Sequence, residues 1–120
     1  YGSGFPALWS HENLNEATHE WLKEEFDAVP LSFFKQITQC VRQGHLLSVE
    51  GFADLPHDFV AAAPKTDARF AFFAGANNRC FLPDSQVKTY EYFCALRKNF
   101  HTLHVFPHYG HLDVFMGKNA

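Results

Sequence analysis

The spacing of hydrophobic residues changes along the chain, and each change marks an element. Between Asn13 and Asp27, Leu14, Ala17, Trp21, Leu22 and Phe26 recur at helical intervals, with Glu12, Glu16, Lys23 and Glu24 on the opposite side. That pattern predicts an amphipathic helix. Val29-Pro30 interrupts it, and Ser32 then stands where a second helix needs a cap. The apolar face of this second helix is Phe33, Phe34, Ile37, Cys40 and Val41, and Gly44 ends it. Residues 45 to 68 contain Gly51, Pro56 and Pro64 and keep no period, which predicts loop with at most one short helical turn. Arg69 to Ala74 is then an apolar run stopped by Gly75-Ala-Asn-Asn78, the pattern of a strand buried on both faces. Pro83 and Asp84 open a helix through Asn99, with Val87, Tyr90, Phe93, Cys94 and Arg97 on one side. Thr102 to Phe106 follows as a strand.

Strand, helix, strand in this order and length predicts a βαβ crossover with parallel strands. The expected fold class is therefore α/β, with a helical segment over residues 1–68 and a strand-helix-strand segment over 69–120. Parallel strands are normally covered on both faces, which a two-stranded sheet cannot arrange alone. Self-association, or membership of a larger protein, is the expected remedy, and the second is favoured. No internal repeat or low-complexity tract interrupts the pattern.

Composition narrows the function. With 120 residues, 47% of them hydrophobic, the chain can bury a core, so disorder is excluded. A net charge of -3, with ten scattered Lys and Arg, gives no stripe to neutralise a phosphate backbone, so nucleic acid is not an expected partner. No apolar run reaches the roughly 20 residues needed to span a bilayer, and Tyr1 to Pro6 lacks the features of a signal peptide. A cytoplasmic location is the default expectation. Cys40, Cys80 and Cys94 are odd in number and form no C-x-x-C pair, so they are expected to be reduced.

The candidate chemistry lies near the C-terminal end. His101, His104, His108 and His111 fall within eleven residues, followed by Asp113. Metal ligands must converge at about 2 Å, whereas His104 sits in a predicted strand and His108 and His111 on the loop after it, so no metal is expected. His101 and His108 are expected to be surface histidines. Arg79 and Lys88 have no phosphate-binding loop around them and are read as solvated charges. Trp21, Phe33 and Phe34 are read as core before they are read as pocket. No nucleophile elbow is present: Gly2-Ser3-Gly4 has the wrong spacing, and Ser48-Val-Glu-Gly51 lacks the first glycine.

Tyr109-Gly110-His111-Leu112-Asp113 followed by Gly117 resembles the histidine loop of α/β-hydrolases. The likeness is greatest to acid lipases and to bacterial hydrolase-like modules beside or fused to glucose-methanol-choline flavin oxidoreductases. The run ending in Phe73-Ala-Gly-Ala-Asn-Asn78 is similar to the family's penultimate strand, and in that register Asn78 occupies the place of the triad acid. The resemblance runs from about Arg69 to Ala120; residues 11 to 65 resemble the helical lid loosely. It implies a partial α/β-hydrolase fold, with two parallel strands, a crossover helix and lid-like N-terminal helices. It also implies a carboxylic ester substrate, of a lipid or sterol for example, and no cofactor. His111 would be the general base, Asp113 a loop-organising carboxylate, and Gly110 the residue allowing a close turn. Asn78 reads equally well as an ordinary post-strand turn residue, in which case Asp84 and Glu91 are the nearest carboxylates in sequence. With no nucleophile and no final helix after Gly117, the chain is expected to be an inactive piece of a larger esterase. The alternative is a non-catalytic hydrolase-like module that partners a flavin oxidoreductase.

Overall fold

The computed structural model describes residues 8–25, 28–48 and 51–119. It is a mixed α/β structure with α1 (Glu16–Glu25), α2 (Leu31–Gln43), β1 (Ala71–Gly75), α3 (Pro83–Leu96), β2 (Thr102–Phe106) and the one-turn α4 (Asp113–Met116). Two compact units form, one from Tyr1–Glu25 with Ala68–Ala120, the other from Phe26–Asp67. The helical segment expected over residues 1–68 is thus divided between the units, α1 falling with the strand-helix-strand segment and α2 in the other unit.

In the first unit, β1 and β2 pair in parallel, from Ala71 opposite Thr102 to Gly75 opposite Phe106. Their connection is α3, with Pro83 in its first turn, where a missing N–H costs nothing. This helix covers one sheet face. The Phe93 ring lies 4.6 Å from that of Phe70 and 5.6 Å from that of Phe72, and Tyr90 meets Phe72 edge-on. The helix ends at Leu96, short of Asn99, because Arg97 turns to an extended backbone. The Arg97 guanidinium lies over the Phe100 ring at 3.5 Å, so it leaves the apolar side assigned to it. Asn99 takes the left-handed conformation, φ 57°, that turns the chain into β2.

The other sheet face carries Phe73, His104 and Phe106. Phe73 stacks on Phe106 but remains 46% exposed. β1 is therefore covered on one face, not on both as its apolar run predicts, since one crossover helix can cover only one side of a two-stranded sheet. The core lies elsewhere in the unit, where Trp9, Leu14 and Leu22 pack with Leu8, Leu112 and Met116. α1 begins after Asn15, whose side chain accepts the Thr18 N–H at 2.8 Å. Ala17 and Trp21 face outward, so Trp21 is not core, and Phe26 and Asp27 lie outside the described residues.

In the second unit, α2 starts directly after the extended Pro30, which places Ser32 inside the first turn, where it makes no cap. Gly44, at φ 80°, closes the helix and donates its N–H to the Cys40 carbonyl at 2.8 Å. Ile37 and Cys40 are half-buried, while Phe33, Phe34 and Val41 stay exposed and do not form core. The segment after α2 folds back on itself through a bridge between Leu47 and Asp58, with Ser48 N–H on the His57 carbonyl and Phe59 N–H on the Leu46 carbonyl. Gln36 donates to the Leu47 carbonyl. His45 Nε2 comes within 3.1 Å of Asp58 Oδ2, close in distance but without hydrogen-bond alignment. Among the described residues, no helix is long and apolar enough to cross a membrane.

Candidate functional site

Because β1 and β2 are parallel, the loops leaving their carboxyl ends emerge at the same edge of the sheet, the edge at which open α/β sheets usually bind ligands. Asn78 lies on the first of these loops and His111 on the second. The two loops are tied together by backbone: Ala76 N–H donates to the Phe106 carbonyl at 2.8 Å and Asn77 N–H to the Tyr109 carbonyl at 2.9 Å. Gly75 permits this approach. A Cβ there would sit 2.1 Å from the Gly110 carbonyl oxygen and 2.2 Å from that of Tyr109.

Asn78 is buried and His111 half-buried, and Asn78 Nδ2 lies 3.1 Å from His111 Nδ1. The amide's other end, Oδ1, accepts the backbone N–H groups of Cys80 at 3.0 Å and Phe81 at 2.9 Å. Asn78 is therefore both a turn residue and a histidine partner; the two readings of it are compatible. The Phe81 ring leans against the imidazole, 5.2 Å between centroids. Asp84 and Glu91 are exposed on α3, and neither hydrogen-bonds to His111.

The histidine loop is held from below by a buried carboxylate and by the N-terminal segment. Asp113 is fully buried; its Oδ1 accepts the Gly110 N–H at 2.8 Å and its Oδ2 accepts Asn13 Nδ2 at 2.6 Å. Asn13 Nδ2 also reaches the His108 carbonyl at 2.7 Å. The Leu8 carbonyl accepts both the His111 and the Leu112 N–H, and Lys118 N–H donates to the Asn13 carbonyl. Gly110 is required by its neighbours and not by its dihedral angles: a Cβ would lie 2.8 Å from Asp113 Oδ1 and 3.0 Å from the Trp9 Cα. Leu8 and Asn13 could not be found from sequence, since their bonds to the loop join residues about a hundred positions apart and no local pattern marks them.

Among the described residues, no other histidine side chain hydrogen-bonds to Asn78, His111 or Asp113. His101 is buried, contrary to its surface assignment, with Nδ1 accepting the Phe70 N–H at 3.2 Å and its ring against Phe70 and Phe93. It stands just before β2, with its ring against α3. His104 is exposed on β2 and His108 on the following turn. Among the described residues, no three His, Cys, Asp or Glu side chains are placed to share a metal ion. The three cysteines are free thiols. On α3, the Tyr90 phenol is held above its ordinary pKa by its hydrogen bond to Cys94.

No known family matches this chain, and neither a curated protein nor a solved structure is significantly similar to it.

Proposed function

We propose that this chain carries the histidine-bearing part of an α/β-hydrolase-type site for carboxylic esters, with His111 at the position of the general base. One observation carries the reading: a histidine and a side-chain amide, from loops at the carboxyl ends of adjacent parallel strands, meet at 3.1 Å. A loop leaving a central strand sets an imidazole above a sheet edge, where it can take a proton from a hydroxyl on a neighbouring turn. Among the described residues, those that meet His111 are Asn78, Phe81 and the Leu8 backbone, and none is a nucleophile. Asp113 and Asn13 hold the loop, and their part is to fix where His111 stands.

The amide in place of a carboxylate favours a second reading, a hydrolase-like module that holds an acyl ligand or a flavin oxidoreductase partner without turnover. Hydrolysis of p-nitrophenyl esters of graded chain length by the protein from its native source separates the two. Turnover abolished by His111→Ala is the result expected of the hydrolase. Turnover unchanged by that substitution would remove His111 from any such chemistry, and binding of an ester analogue without turnover would select the module.

A further inference from the structure

Two backbone N–H groups decide which end of the Asn78 amide meets His111. Cys80 and Phe81 both donate to Oδ1, at 3.0 and 2.9 Å. A flipped amide would set its NH2 against both donors, giving up two bonds for two repulsive contacts, so the oxygen stays on the loop side. The NH2 group is thereby left facing His111 Nδ1 at 3.1 Å. An amide NH2 only donates, and a ring nitrogen can accept from it only if it carries no hydrogen. The neutral ring must then hold its proton on the other nitrogen, Nε2.

We propose that Asn78 fixes His111 in the Nε2–H tautomer, so that the site offers a hydrogen-bond donor to a carbonyl or carboxylate oxygen in place of a proton acceptor. Asn78 is a positioning residue: it acts through His111 and needs no contact with the ligand. A base at this place requires the opposite tautomer, with Nδ1–H donating to a carboxylate and Nε2 bare. Asn78→Asp would supply it with little change of structure, since one carboxylate oxygen still accepts from Cys80 and Phe81 and the other faces Nδ1. For catalysis, though not for the tautomer, the inference rests on the hydrolase-type reading of His111.

The test is long-range 1H–15N correlation on the full chain labelled at histidine, recorded at about pH 8, above the ordinary imidazole range. In the wild type the expected result is a proton on Nε2 and a bare Nδ1. A wild-type ring protonated at Nδ1, or showing the mixed tautomers of free imidazole, overturns the proposal whether or not any variant folds. Asn78→Asp is expected to move the proton to Nδ1, and Asn78→Ala to release the ring to the mixture; a wild-type pattern retained in both would show that Asn78 does not set it. Wherever ester turnover is measurable, Asn78→Asp is expected to raise kcat with little change in KM, by up to about 10⁴-fold if the tautomer alone limits it. Absence of ester turnover in both proteins, with the Nε2–H tautomer observed, would defeat the hydrolase reading and leave the donor site standing.

Discussion

Replacing Gly75 by alanine puts a methyl group where the two loops of the site touch, and its cost follows from distances. The new Cβ would lie 2.1 Å from the Gly110 oxygen and 2.2 Å from the Tyr109 oxygen, both backbone atoms that no rotamer change can move. Bringing the shorter contact to 3.0 Å requires the histidine loop to retreat by about 0.9 Å. The hydrogen bond from Asn77 N–H to the Tyr109 carbonyl, now 2.9 Å, and that between Asn78 and His111, now 3.1 Å, would both stretch past bonding range. Overpacking of this kind costs about 1–3 kcal/mol, and each lost bond about 0.5–1.5 kcal/mol. Together they remove about 2–6 kcal/mol from a domain whose whole stability is on the order of 5–15 kcal/mol. Gly51 is the control, because a Cβ there meets nothing within 4 Å. Thermal unfolding followed by near-ultraviolet circular dichroism should place Gly75→Ala at least about 6 °C below the wild type and Gly51→Ala within about 2 °C of it. Melting of Gly75→Ala within about 2 °C of the wild type, with the Asn78 to His111 contact still seen by NMR, would refute the packing argument.

Three further outcomes are expected. Asn13→Ala strips Asp113 Oδ2 of its 2.6 Å donor inside the core and should cost about 1–3 kcal/mol in urea unfolding; an unchanged midpoint would mean that water replaces the amide. Gly44→Ala keeps φ near 80° with no side-chain clash, so it should lose only about 1 kcal/mol, seen as faster amide exchange at the end of α2. The Asp58 carboxyl is held below its ordinary 3.8 first by the Val60 N–H and then by His45, so the fold-back after α2 is fully supported above pH 3.8 and weakens as pH falls through the lower native value. Acid titration should release the Val60 amide in the wild type, and no release below pH 3.8 would contradict that role.

What could be read from residue order was local. The helical period around Leu22, the Pro83 start of α3, the glycine end of α2 and the apolar run of β1 each depend on interactions within a few residues, and an element formed at each, although α1 starts only after Leu14 and α3 stops at Leu96. Tyr109 to Asp113 could be picked out as candidate chemistry because a histidine flanked by glycine and a carboxylate after a strand is a short-range pattern. Tertiary structure decided the rest. Burial of His101 came from its neighbours across the sheet and on α3, not from its own polarity. Exposure of Phe73 and of Phe33 followed from how few layers the chain builds, which no residue's hydrophobicity encodes. The grouping of α1 with residues 68–120 depends on Trp9, Leu14 and Leu22 meeting Leu112 and Met116 at long range. Sequence named Asn78 and His111 as two side chains on two loops; only the fold sets which atom of the amide faces the ring, because two N–H groups of the intervening turn hold the oxygen away from it.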